Sequence, residues 1–315
     1  MGAETIVNVR TTSVNWPLVA AAATGVQVGA ATVASRFAVG EVPPLTLAML
    51  RYAIGFCCLL PFAWRGARGL FGHSGAPPVN ANRVHDLLAM AALGIGQFGV
   101  LIALLNFGLQ HIAAAQAALI FSLFPLLTLL FAAALGRDRV TWQLAAGVAL
   151  TIAGVALAIT PKLGAPGGGH WWGELAVAAS AATGALCSVL YRPYLRRYPT
   201  VPVSAFAMLA SVLFLAVLAA GEHWSTRIGS FSASAWGAIA FIGVASGVGY
   251  FWWLYALKHE SPTRVTVFLG LNPVTAALLG WALLGEPLPP VTFGALALTV
   301  AGLWIATRGP SSAAS

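Results

Sequence analysis

The sequence predicts an all-α membrane protein: ten transmembrane helices, arranged as two inverted five-helix repeats around a central cavity. Three observations predict it. Of the 315 residues, 59% are apolar and only 8% charged, with a mean hydropathy of +0.85. The apolar residues gather into ten runs long enough to cross a bilayer. Short words also recur along the chain at two constant offsets.

Composition sets the solvent. Soluble domains carry roughly 25% charged residues, and a water-soluble fold of this size would lack the polar side chains to cover its surface. A net charge of +8 can mark a nucleic-acid partner. Here the basic residues sit singly or in small groups between apolar runs, so no nucleic acid is expected, and membrane lipid is the surrounding partner. Cys57, Cys58 and Cys187 all lie inside apolar runs, without C-x-x-C spacing or paired histidines. They read as small packing residues, with no metal site and no cofactor.

About 20 apolar residues cross the roughly 30 Å hydrocarbon core. The ten runs are 17–39, 44–64, 87–109, 113–135, 141–160, 172–191, 201–220, 234–257, 265–284 and 290–307. Breakers such as Pro43-Pro44 and Ser261-Pro262 mark the short loops between them; only 65–83 reads as a longer, solvated loop. Placing the N-terminus in the cytoplasm puts twelve of the 16 Lys and Arg on the inner side, with Lys162 and Arg227 in outer loops and Arg36 and Arg51 at or near the outer face. The positive-inside rule then makes both termini cytoplasmic. Trp16, Trp64, Trp142, Trp171, Trp172, Trp224, Trp236 and Trp304 fall at span ends, as an interfacial belt requires.

The offsets divide the chain. Ala23-Thr24-Gly25 recurs at Ala182-Thr183-Gly184 and Ala48-Met49-Leu50 at Ala207-Met208-Leu209, both shifted by 159. Beyond the long loop the shift is 148: Gly99-Val100 matches Gly247-Val248, His111 matches His259, Pro125 matches Pro273, and Gly154 matches Gly302. The expected organisation is a cytoplasmic tail 1–16, a first repeat 17–160, a periplasmic linker 161–171, a second repeat 172–307 and a cytoplasmic tail 308–315. Because each unit has an odd number of spans, the second copy must cross the membrane in the opposite sense. Inverted repeats of this kind characterise secondary transporters, whose site lies near the midplane between the repeats. His111 and His259 should then face opposite sides of the membrane.

The repeated patterns resemble those of the drug/metabolite transporter superfamily, specifically its ten-helix EamA-type exporters. One carrier of the likeness is 117–135 with Pro125, followed by Gly147 and Gly154. The other is Asn272-Pro273, then Gly285-Glu286-Pro287, Gly294 and Gly302. The first copy departs from the pattern of a glycine followed by an acid, reading Gly136-Arg137-Asp138. The resemblance implies a multi-pass protein of the bacterial inner (plasma) membrane that exports amino acids, including aromatic ones, or related metabolites.

Candidate site residues follow from what a bilayer interior tolerates. Intramembrane polar groups carry function by default, which singles out Gln27, Gln97 and Asn106; their amides both donate and accept, as a zwitterion's ends require. Tyr250, Trp252 and Trp253 belong to the densest aromatic run, which nearly encircles its helix and offers a wall for a substrate ring. Pro125 and Pro273 sit mid-span in equivalent helices, as static kinks or as paired hinges. For Arg51, about 10 Å into its span at 1.5 Å per residue, snorkelling outward or pairing with Glu41 is favoured over anion binding. A sugar-phosphate carrier would need an inward-facing Lys or Arg at mid-depth, and none is expected in this chain.

Other classes fit less well. Gly94-Ile95-Gly96-Gln97-Phe98-Gly99 matches a dinucleotide fingerprint in letters, but lies mid-span with no strand before it; close helix packing explains it. The same holds for Gly25…Gly29 and Gly243…Gly247. Ser246-Gly247 resembles an intramembrane protease serine, yet no histidine in a later span supplies a base, so no catalytic residue is assigned. All eight acids fall at span ends or in loops, which favours facilitated diffusion by alternating access over proton antiport. A monomer is expected.

Overall fold

The computed structural model describes residues 15–71, 82–136, 141–163, 171–259 and 268–307. The two expected tails, apart from residues 15 and 16, lie outside them. So do 164–170 of the linker, 72–81 of the long loop, and 137–140 and 260–267 with Asp138 and Arg264.

All regular structure among the described residues is helical. α1 is Trp16–Ala38, α2 Pro44–Phe71 and α3 Asn82–Gly94; a π-helical turn, Ile95–Val100, joins α3 to α4, Leu101–His111. Then follow α5 Ala114–Phe121, α6 Leu123–Ala134, α7 Trp142–Leu163, α8 Trp172–Arg197, α9 Thr200–Ala219, α10 Trp224–Arg227, α11 Ala233–His259, α12 Leu271–Leu284 and α13 Pro290–Thr307. Among the described residues seven stretches are long and apolar enough to cross a membrane: Trp16–Ala38, Pro44–Ala63, Val84–His111, Ala114–Ala134, Trp172–Tyr191, Val201–Glu222 and Ala233–Trp253. Three further apolar stretches among the described residues, Ala145–Ala158 within α7, Phe268–Leu284 and Pro290–Ile305 within α13, occupy the places of the other expected spans.

Several helices start as the sequence leads one to expect. Asn15 Oδ1 accepts from the Leu18 backbone N–H at 3.3 Å, with Pro17 in the first turn, where a missing N–H costs nothing. Pro44 opens α2 in the same way. The long loop is shorter than expected, because α2 runs on to Phe71 and α3 begins at Asn82. The span around Pro125 is broken rather than merely bent. α5 stops at Phe121, Ser122 takes φ −66° and ψ −9°, and α6 restarts at Leu123. A proline two residues into a new helix cannot complete the previous ladder. The same break recurs before Pro273, where a 3₁₀ turn at Phe268–Gly270 gives way to α12.

Helix packing places α1 against α11 and α12, α2 against α9 and α11, α8 against α4 and α6, and α7 against α13. The last contact is reciprocal. A Cβ on Gly154 would lie 2.6 Å from Thr299 Oγ1 and 2.8 Å from the Ala295 carbonyl; one on Gly302 would lie 2.5 Å from Thr151 Oγ1 and 2.6 Å from the Gly147 carbonyl. Only glycine admits backbones this close. Gly25 and Gly29 lie on Phe268, Leu271 and Asn272, and Gly243 and Gly247 on Ile54 and Cys58, so both small-residue pairs pack helices. Trp16, Trp142 and Trp172, at helix ends, are each more than 60% exposed.

One face of α11 is outward. Phe241, Val244, Val248, Phe251, Trp252 and Tyr255 recur at helical spacing and are all exposed apolar residues, as lipid contact requires.

Candidate substrate-binding site

Three aromatic rings meet where α2, the π turn and α11 converge. Tyr52 meets Phe98 edge to face at 5.2 Å between centroids, and Phe98 meets Tyr250 in the same manner at 6.0 Å. Ser204 of α9 donates its hydroxyl to Tyr250 Oη at 2.9 Å, which fixes the phenol. Such pairs favour edge-to-face geometry because ring edges are positive and faces negative. The π turn is what presents Phe98. A single wide turn inside an α-helix re-aims its side chains and recurs at functional sites. Close approach of Gly94 to Ala207 and of Gly96 to Cys187 seats this turn against α9 and α8.

Arg51 departs from expectation. Its Nε donates to Ser246 Oγ at 2.7 Å, while Ser246 donates its own hydroxyl to the Ile242 carbonyl at 2.7 Å. Ser246 lies opposite Gly55, since a Cβ there would sit 3.7 Å from the Ser246 Cβ. Gly55 is one turn deeper in α2 than Arg51, so the side chain runs inward. It neither snorkels to the outer face nor pairs with Glu41, and the expectation of no cation at mid-depth fails with it. Glu41 is engaged elsewhere: its two carboxylate oxygens accept from the Ser232 N–H and, at 2.6 Å, the Ser232 hydroxyl ahead of α11. A cation at the centre of a membrane helix costs about 2.5–3.5 kcal/mol. Partial offset comes from Ser246 and from the Tyr52 ring, whose centroid lies 5.7 Å from Arg51 Cζ, within cation–π range.

The other candidate residues are spread around this cluster. Gln97, on the π turn beside Phe98, accepts from Ser188 Oγ at 3.4 Å. Gln27 directs its Oε1 onto Gly249, next to Tyr250 but across the α1·α11 contact. Trp253 packs with Ala20, Ala21, Ala256 and Phe268. Trp252 lies on the outward stripe of α11, 37% exposed, and is not brought together with Tyr250. Asn106 has no exposed surface; its Nδ2 donates to the Pro44 carbonyl at 3.1 Å, tying α4 to the start of α2. Pro125 and Pro273 are buried, each three residues after its helix break. Among the described residues no group of three or more His, Cys, Asp or Glu could hold a metal ion.

The carboxylates found at helix ends have a shared purpose. Glu222 accepts from the Leu45 and Thr46 N–H groups at 3.1 and 2.7 Å, and from the Thr46 hydroxyl. Glu286 accepts from the Ala114 N–H at 3.0–3.2 Å and lies 3.5 Å from Arg36 Nε. Each caps a helix N-terminus in another part of the chain, where orphan N–H groups and the helix dipole favour a negative charge. The position of these acids at span ends is legible in the sequence, whereas their capping partners, 172–177 residues away, are not.

Comparison with known proteins decides the family. The model of the EamA-like transporter family matches residues 15–160 and 171–308. The chain belongs to the EamA-like transporter family. An uncharacterized transporter of Archaeoglobus fulgidus is 27% identical over 89% of this chain and 94% of its own. The Escherichia coli (strain K12) protein named uncharacterized inner membrane transporter YedA is 29% identical, covering 87% and 85%. A probable terminal-alkyne amino-acid exporter of Streptantibioticus cattleyicolor is 30% identical over 73% of this chain and 76% of its own. A solved crystal structure superposes with a TM-score of 0.59 at 24% identity, covering 91% of this chain and 96% of the other; that likeness concerns the fold alone. An EamA-like chain with many apolar helices is a membrane transporter.

Proposed function

We propose that this EamA-like transporter exports small neutral metabolites, foremost amino acids with bulky or aromatic side chains. It does so across the inner membrane, by alternating access between two inverted five-helix repeats. The observation that carries the reading is the ring cluster Tyr52–Phe98–Tyr250 at the convergence of α2, the π turn and α11, with Gln97 beside it. An apolar aromatic wall flanked by Gln97 on one side and the Arg51 guanidinium on the other suits an amphipathic substrate.

The repeat reading takes support from packing. Exchanging α1, α2, α3–α4, α5–α6 and α7 for α8, α9, α11, α12 and α13 turns the α1·α11 contact into α8·α4. It likewise turns α1·α12 into α8·α6 and leaves α2·α9 and α7·α13 unchanged. The family model's two stretches divide the chain at the same place. The amino-acid class takes support from the name of the Streptantibioticus relative, and the inner membrane from that of YedA. The five acids described, Glu41, Asp86, Glu174, Glu222 and Glu286, all lie at helix ends, so proton coupling at mid-depth lacks a carboxylate and facilitated diffusion is the simpler mechanism. The test is efflux from proteoliposomes preloaded with threonine, methionine, tryptophan or a nucleotide sugar. Amino acids leaving down their gradient support the reading; efflux of the nucleotide sugar alone overturns it.

A further inference from the structure

We propose that Arg51 is the anchor for a carboxylate on the transported molecule. The proposal rests on amino-acid export and adds which end of the substrate is held, and by what. Arg51 uses only Nε within the protein, toward Ser246. Its two Nη groups have no partner among the described residues and are not fully sealed from the surroundings. Ser246 can accept from Nε because its own proton is committed to the Ile242 carbonyl. That arrangement leaves the outer fork of the guanidinium uncommitted. A planar fork of N–H donors matches a carboxylate in two parallel hydrogen bonds. No carboxylate of the described chain fills that place, since Glu41, Asp86, Glu174, Glu222 and Glu286 all have partners at helix ends.

The neighbourhood gives the substrate's other end. Tyr52 flanks the guanidinium and continues through Phe98 to Tyr250, so a carboxylate held by Arg51 leaves its side chain beside a line of rings. Among the residues whose side chains are described, Arg51 is the one positive charge at this place in the fold, which sets the anion. Arg36, Arg197 and Arg227 lie at helix ends and supply no second cation at this depth. A phosphate dianion would be left half-neutralised, whereas a monoanionic carboxylate is matched.

The experiment uses the full chain in proteoliposomes and follows counterflow of labelled tryptophan in competition with three probes. Indole-3-propionate keeps the carboxylate and lacks the amine; tryptophan amide keeps the amine and lacks the carboxylate; glucose 6-phosphate carries a phosphate. Indole-3-propionate should compete and the amide should not. In Arg51→Gln the preference for acid over amide should collapse by about 10- to 100-fold, the worth of a charged hydrogen bond, and Arg51→Lys should keep part of it. A merely structural arginine would lower both probes together and leave their ratio unchanged, which overturns the proposal. Equal competition by acid and amide in the wild type, or stronger competition by glucose 6-phosphate, overturns it as well and needs no variant to fold. If wild-type vesicles carry no amino acid, the export reading fails. The anchor is then read separately from the thermal shift of the purified protein: stabilisation by indole-3-propionate but not the amide upholds it, and no shift with either overturns it.

Discussion

Glu286 hydrogen-bonds to a helix of which it is not a part. Gly285, at φ +64°, ends α12 in the left-handed region, open to glycine at no steric cost, and turns the chain so that the next carboxylate meets Ala114 at the head of α5. Replacing Glu286 by Gln keeps an acceptor but removes the charge facing the helix dipole and Arg36. About 1 kcal/mol of stability should be lost, read as a lower midpoint of thermal unfolding. Glu41 gives a pH-dependent counterpart. Its hydrogen bonds from Ser232 hold its pKa below the ordinary value of 4.5. A lowered folded-state pKa means that the stabilisation is present above the unfolded value and is lost as pH falls through the folded one. Melting midpoints of wild type and Glu41→Gln should differ at pH 7 and converge in the acid range below about 4.5; a constant difference would contradict this. Arg51 marks the limit of reading residues singly. Its depth was legible, but its direction depended on Ser246, a residue 195 positions away, and no periodicity within one helix contains that information.

At the scale of elements, prolines were legible and the π turn was not. Pro125 and Pro273 announce a fault in the helical ladder, because the missing N–H is a property of the residue itself. The wide turn at Ile95–Val100 has no such marker; it arises where Gly94 and Gly96 let α9 and α8 approach, which is a tertiary cause. Helix ends were less legible than helix positions, since apolar content marks a segment for burial but not where its helix stops: α2 runs on to Phe71, past the apolar run that ends at 64. Restoring the ladder tests whether the breaks act as hinges. Pro125→Ala and Pro273→Ala should each slow counterflow severalfold while leaving its half-saturating concentration within about twofold, as expected when a conformational step is rate-limiting. Static kinks would leave the rate unchanged. At the α7·α13 contact, enlarging Gly302 to Val should cost about 1–3 kcal/mol, measurable as a lower unfolding midpoint.

For the whole molecule, two offsets in the sequence carry more than any motif. They pair His111 with His259, and in the structure each ring donates Nδ1–H to the carbonyl four residues earlier, at 2.9 Å, beside an aromatic ring at 4.7 and 4.6 Å. The proposed inversion would put the two on opposite sides of the membrane. In a background without native cysteines, His111→Cys should react with an impermeant maleimide in intact cells and His259→Cys only after lysis; equal labelling would remove the inversion. On the proposed function, the cluster around Tyr52, Phe98 and Tyr250 carries amino acids outward along their gradient. Tryptophan efflux from proteoliposomes, measured with and without an imposed proton gradient, tests it most directly. Efflux should be saturable, need no proton gradient and fall at least about tenfold in Tyr250→Ala at unchanged folded protein. Accumulation against the tryptophan gradient driven by protons alone, or full efflux in Tyr250→Ala, would contradict it.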